Sequence, residues 1–152
     1  RDIESPWKLV LTGDADHGDN YRTKLIDQAH MDMRVVLTGT LIGKDLEEIY
    51  SNAGLFILPS YHEGLPLVLL EALSYDLPII ASNIPANQEI IAGCAKTFLP
   101  GDVYSLKDLL LSEIQQLSND DKRCRTNATV HDKFNWERIA EQTMMVYEHS
   151  LC

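Results

Sequence analysis

Two glutamates dominate the chemistry available to this chain. Glu63 and Glu71 are separated by seven residues in the run Pro59-Ser60-Tyr61-His62-Glu63-Gly64-Leu65-Pro66-Leu67-Val68-Leu69-Leu70-Glu71-Ala72-Leu73. Gly64 permits close backbone approach or an unusual φ. Pro66 suits a first helical turn, where its missing N–H costs nothing. The amides of Gly64, Leu65 and Leu67 would then surround a helix N-terminus, a ready anion site. Glu71 falls five residues past Pro66, about 7.5 Å along a helix axis. Set among Leu69, Leu70, Ala72 and Leu73, its carboxylate is expected to need partners, because an unpaired buried charge is costly. Ribose hydroxyls would serve. Glu63 precedes the helix at the mouth of the same crevice, where capping by a carboxylate is the simpler role.

Other groups carry weaker signals. Asp14-Ala15-Asp16, with His17 and Asp19 nearby, offers hard oxygen ligands for Mg²⁺ or Mn²⁺. The favoured reading is a solvated acidic loop that also suits the next helix N-terminus, and no metal site is expected. His30, His131 and His149 lack ligand spacing, while His62 adjoins Glu63. Cys94, Cys124 and Cys152 form no C-x-x-C and read as reduced thiols. Tyr50, Phe56 and Trp136 read as packing residues. Asn127-Ala128-Thr129 matches a glycosylation acceptor but falls on an expected helix, and the carboxylates of 112–122 read as a solvated helix face and turn.

The elements that must position these residues follow from alternation of short apolar runs with helical patterns. Strands are expected at 7–12, 34–38, 55–59, 78–82 and 95–99. Helices are expected at 19–30 (Tyr21, Leu25, Ile26 and Ala29 inward), 44–53 (Leu46, Ile49 and Tyr50 inward), 66–75, 86–91, 104–117, 119–132 and 135–149. Strand–helix alternation implies parallel pairing through right-handed crossovers. Continuously apolar strands imply sheets covered on both faces. The expected class is α/β: a doubly wound, Rossmann-like parallel sheet of about five strands with helices on both faces and a helical C-terminal tail, ligands binding beyond the strands' carboxyl ends.

Composition narrows the partners. The 152 residues suit one domain, 1–152. Thirteen Lys+Arg against 23 Asp+Glu leave a net charge of −10, which argues against nucleic acid and against a polybasic membrane anchor. No apolar run approaches the roughly 20 residues of a membrane span, and no signal-peptide pattern is present.

The motifs Leu37-Thr38-Gly39-Thr40, Asp45-Leu46-x-x-Ile49-Tyr50-x-x-Ala53, Leu58-Pro59-Ser60-x-x-Glu63-Gly64-Leu65-Pro66-Leu67-x-Leu69-Leu70-Glu71-Ala72, Pro78-Ile79-Ile80-Ala81-Ser82 and Glu89-Ile90-Ile91 together resemble one family. It is the C-terminal, nucleotide-sugar-binding domain of the retaining glycosyltransferases of family 4, the C-terminal half of a GT-B fold. The resemblance extends over about residues 7–150, with Leu99-Pro100-Gly101-Asp102 and Phe134-Asn135-Trp136 agreeing in the tail. It implies that Glu63 is the catalytic carboxylate facing the transferred sugar, with His62 beside it. Glu71 would bind ribose, and the backbone of Gly64, Leu65, Pro66 and Leu67 the distal phosphate. Gly39, Thr40 and Leu41, after a strand whose backbone is exposed for hydrogen bonding, would line the base pocket, and Glu89 would contact the donor or close its helix. Fixed amides would stabilise charge growing on the diphosphate, and a carboxylate the oxocarbenium-like sugar.

The implied function is transfer of a glycosyl group from a nucleoside-diphosphate sugar to a saccharide or lipid-linked acceptor in polysaccharide or glycoconjugate biosynthesis, with no cofactor or metal. The family's first strand and its Gly-Arg…Lys-Gly stretch have no match here. The N-terminal acceptor domain is the expected partner, and this piece is expected to be inactive alone. The expected location is the cytoplasm, or peripheral at a cytosolic membrane face through that domain. The alternatives are a GT-B nucleotide-sugar epimerase and a non-catalytic nucleotide-sugar-binding scaffold.

Overall fold

The computed structural model describes residues 6–14, 20–91, 93–117 and 134–150. Asp16, His17, Asp19, Cys124, Asn127, His131, Cys152 and the helix expected at 119–132 lie outside the described residues. The chain divides into two compact units, Arg1–Asn52 and Ala53–Cys152.

The first unit runs β1 (Leu9–Thr12), α1 (Asn20–His30), β2 (Val35–Gly39) and α2 (Lys44–Asn52). β1 and β2 pair in parallel with Leu9 opposite Val35 and Leu11 opposite Leu37, and the register shifts between Leu11 and Thr12. A parallel pair needs a crossover, and α1 supplies it, packing on β2. Leu25 and Ile26 are half-buried and Ala29 is buried, but Tyr21 is exposed, contrary to its expected inward place. The burying face of α1 therefore starts in its second turn. On α2, Tyr50 is buried and Leu46 and Ile49 are half-buried, as their spacing requires. Leu9 and Val10 on β1 are exposed, against the expectation of strands covered on both faces. Within this unit the covering helix lies on β2 instead.

The second unit contains β3 (Phe56–Leu58), α3 (Leu67–Ser74), β4 (Ile79–Ser82), α4 (Pro85–Ile91), β5 (Lys96–Phe98), α5 (Val103–Leu117) and α6 (Trp136–Ser150). Its three strands are parallel in the order β3-β4-β5. Phe56 lies opposite Ile79, and Ile80 opposite Lys96. All four residues of β4 are buried, which is why its sequence is apolar up to Ser82. α5 packs against β4 and β5, and α3 against α4. The core gathers Leu69, Ala72, Leu73, Ile79, Ile80, Ala81, Ile90, Ile91 and Phe98.

Local chemistry sets the helix ends. Asp102 caps α5, its Oδ1 accepting from the Ser105 amide at 3.0 Å. Asn135 does the same for α6 through the Glu137 amide at 2.8 Å. Just past the C-cap Tyr75 of α3, Asp76 adopts φ 53° and turns the chain away, while the Leu77 amide returns to the Ala72 carbonyl. Among the described residues no helix is long and apolar enough to cross a membrane. The whole is an α/β architecture of parallel strands joined through helices.

Candidate functional site

The loop between β3 and α3 starts at the carboxyl end of a half-buried strand and ends at a helix N-terminus, the place where open α/β sheets receive ligands. Glu63 is half-buried in this loop, and its Oε1 accepts a 2.6 Å hydrogen bond from Ser60 Oγ. Simple helix capping does not describe it, because the carboxylate is held by Ser60 rather than by α3 amides. The N-cap position of α3 belongs to Pro66, whose ring has no oxygen to offer. Pro66 is buried, with its carbonyl accepting from the Leu69 amide at 3.0 Å. It pins the first turn while Leu65 and Leu67 on either side are exposed.

Gly64 is exposed and does not lie in the left-handed region, so the unusual φ expected of it is absent. A Cβ built there would meet no atom within 4 Å. What Gly64 keeps is an open backbone face for close approach. His62 is exposed on the same loop, and Glu89 is exposed on α4.

Glu71 is exposed, which corrects the expectation that apolar neighbours enclose it. Leu69, Ala72 and Leu73 form the buried stripe of α3, with Glu71 turned away from it. Its side chain stands on the exposed side of the helix. Its place on the helix, four residues after Leu67, is about 6 Å along the axis from the start of α3.

Behind the loop lies a polar group that the apolar pattern concealed. Ser82 and Asn87 are wholly buried. Ser82 Oγ donates to the Ser60 carbonyl at 2.5 Å. The Asn87 amide nitrogen donates to the Ser82 carbonyl and hydroxyl, each at 3.0 Å. The available signal was a serine closing the apolar run Ile79-Ile80-Ala81 and an asparagine in the next helix.

In the first unit, Gly39 has φ +68°, a conformation suited to glycine at the end of β2. Its carbonyl is not exposed for ligand contact as expected. The Gly13 amide donates to it at 2.8 Å, and Thr38 Oγ1 does so at 3.0 Å. Thr40 is exposed and Leu41 half-buried. Asp14 is engaged by Arg22, Nε to Oδ1 at 2.7 Å and Nη2 to Oδ2 at 3.3 Å. That hydrogen bond and charge raise the Arg22 pKa above its ordinary value. Among the described residues no group of three or more His, Cys, Asp or Glu side chains could hold a metal ion.

Glu113 departs from the solvated helix face expected for 112–122: it is buried on α5 and paired with Lys96 of β5. A carboxylate facing the sheet needs such a partner. Tyr50 is buried and Phe56 half-buried, as expected of packing residues. Cys94 forms no disulfide.

The model of the family described as glycosyl transferases group 1 matches residues 1–120. The chain is 25% identical over 142 residues to O-antigen chain mannosyltransferase B of Escherichia coli, covering 93% of this chain and 37% of that protein. It is 31% identical over 101 residues to an Escherichia coli enzyme named UDP-Gal:alpha-D-GlcNAc-diphosphoundecaprenol alpha-1,3-galactosyltransferase, covering 66% of this chain and 24% of the other. This chain thus spans well under half the length of either curated relative. The crystal structure of Anabaena HepE in complex with UDP-glucose superposes with a TM-score of 0.79 at 19% identity, covering 93% of this chain and 41% of that one. The last likeness is one of fold.

Proposed function

This chain belongs to the glycosyl transferases group 1, and on that premise we propose that it is the donor-binding domain of a retaining glycosyltransferase that uses a nucleoside-diphosphate sugar. The supporting observation is Glu63: a half-buried carboxylate held by Ser60 at 2.6 Å, immediately before the N-terminus of α3, whose N-cap residue provides no capping oxygen. An anionic diphosphate fits the first-turn amides of such a helix. Relatives named for UDP-galactose and O-antigen mannose transfer support the donor class and the saccharide or lipid-linked acceptor.

In the reaction proposed, the bond from the anomeric carbon to the diphosphate oxygen breaks and its electron pair leaves with the nucleoside diphosphate. An acceptor hydroxyl oxygen forms the new bond, and its proton ends on the released diphosphate. Glu63 orients the sugar and stabilises positive charge at its anomeric centre. Backbone amides of Gly64, Leu65 and Leu67 meet the growing phosphate charge. Glu71, being exposed, gives a hydrated acceptor for ribose hydroxyls. No metal or cofactor enters this scheme. The acceptor site is supplied by an N-terminal domain of the same enzyme, in the cytoplasm or at a cytosolic membrane face.

The test is calorimetric titration of the intact polypeptide that carries this chain with UDP, GDP, ADP and UDP-glucose. One diphosphate is expected to bind, and the matching nucleotide sugar to bind more tightly. Absence of binding by all four would remove the proposal.

A further inference from the structure

Three polar side chains lie end to end behind Glu63 in the second unit. Their hydrogen bonds run one way. Each hydroxyl has a single proton. The Ser82 proton goes to the Ser60 carbonyl at 2.5 Å, so Ser82 Oγ meets Asn87 only as an acceptor. The Ser60 proton goes to Glu63 Oε1 at 2.6 Å. Asn87 cannot be turned over, because its Oδ1 would then face the Ser82 carbonyl that its nitrogen now serves at 3.0 Å.

This orientation has a cost. Asn87 Oδ1 is buried and has no hydrogen-bond partner among the described residues. A buried acceptor without a donor is unfavourable, and an apolar side chain at position 87 would pack without it. The polarity therefore serves something besides packing. At the other end, Glu63 Oε1 is taken by Ser60, which leaves Oε2 as the carboxylate oxygen for a ligand.

We infer that Asn87, Ser82 and Ser60 are positioning residues: a buried relay from α4 through β4 to the β3–α3 loop that holds the Glu63 carboxylate in one orientation toward the donor sugar. The inference rests on the reading of Glu63 given above. A glutamate in a loop has three side-chain torsions to lose, and useful placement is held to about 0.5 Å. Ser60 removes that freedom directly. Its own backbone is tied to β4 through Ser82, and Ser82 is tied to α4 through Asn87.

The test compares UDP with UDP-glucose as probes on the intact polypeptide, using Glu63→Ala, Ser60→Ala, Ser60→Thr and Ser82→Ala, with thermal melts alongside. The readout is the gain in affinity that the sugar adds over the bare nucleotide. Ser60→Ala is expected to cut that gain about tenfold, the scale of one hydrogen bond to a charged group, and to leave UDP affinity unchanged. Ser60→Thr restores the hydroxyl and should restore most of the gain. Ser82→Ala should act in the same direction. Ligand-free crystal structures supply a second readout, with Glu63 in one rotamer in the parent and several in Ser60→Ala.

If Glu63→Ala abolishes the gain while Ser60→Ala changes neither the gain nor the Glu63 rotamer, the relay is refuted and the role of Glu63 stands. If Glu63→Ala leaves the gain intact, the role of Glu63 is refuted and the relay is structural only.

Discussion

Glu71 and Ala72 are adjacent on α3 and opposite in burial: Ala72 is completely enclosed, whereas Glu71 is exposed. Function and stability therefore separate on this helix. Glu71→Ala changes an exposed position and leaves the buried stripe Leu69, Ala72 and Leu73 intact, so its cost in stability should stay within about 1 kcal/mol. Nucleotide affinity should fall about tenfold if Glu71 holds ribose hydroxyls, the cost of hydrogen bonds to a charged acceptor. Calorimetry with the nucleoside diphosphate that binds, paired with a thermal melt, checks both. An unaltered affinity takes Glu71 out of the ribose role.

Much of the second unit is legible from residue order. The β-branched apolar run Ile79-Ile80, closed by Ala81-Ser82 and preceded by Pro78, reads as a strand covered on both faces, and β4 is buried throughout. Pro100-Gly101-Asp102 announces a helix start, and Asp102 does cap α5. What escapes is the phase of an apolar helix. α3 reads Leu-Val-Leu-Leu-Glu-Ala-Leu-Ser, with too little polar contrast to show which side is inward. Glu71 therefore looked enclosed when it is not. Pairings between distant elements escape for a different reason. The links Asn87–Ser82–Ser60 and Lys96–Glu113 join residues whose separation in sequence carries no periodic signal. Gly64 was legible as an open loop position, but its φ was not, because open space and a left-handed turn both favour glycine.

The Lys96–Glu113 pair ties α5 to β5, with the glutamate side chain at 11% exposure and the lysine at 39%. Lys96→Met should destabilise the chain by about 2 kcal/mol, because it leaves a largely buried carboxylate without its charge partner. Adding Glu113→Leu removes that orphan and should recover most of the loss. Urea unfolding of the single and double variants measures the coupling. Additive losses would show that the pair contributes nothing beyond its separate side chains.

Asp32 predicts a pH dependence. The Arg34 side chain bonds both of its oxygens, at 3.0 and 2.7 Å, and the Arg34 amide bonds Oδ1 at 3.0 Å. These hydrogen bonds, with the guanidinium charge, hold the Asp32 carboxyl well below the ordinary carboxylate range. A folded-state pKa below the unfolded one means stability that is present above the unfolded value, about 3.9, and is lost as pH falls toward the folded value. Asp32→Asn should therefore be less stable than the parent at neutral pH, with the gap shrinking below about pH 4. Chemical unfolding from pH 6 to 3 tests this. A gap that stays constant across the range would rule out the linkage.

The loops after β3 and β5 meet at one point, which gives a prediction about how firmly the Glu63 loop is held. Gly101 has φ +83°, and a Cβ placed on it would stand 2.9 Å from the Tyr61 hydroxyl. Gly101→Ala thus carries two costs. The left-handed backbone penalises any L side chain by about 1–2 kcal/mol. The contact with Tyr61 adds a second, smaller cost, since the ring is exposed and its outer end can move. Tyr61→Phe removes the oxygen that makes the short contact; the next ring atoms stand at 3.5 and 3.6 Å, ordinary van der Waals distance. The destabilisation by Gly101→Ala should therefore be smaller in the Tyr61→Phe background than in the parent. A double-mutant cycle by thermal unfolding reads that difference directly. Equal costs in both backgrounds would mean that Tyr61 moves aside freely and that the β5–α5 loop does not brace the segment carrying Ser60 and Glu63.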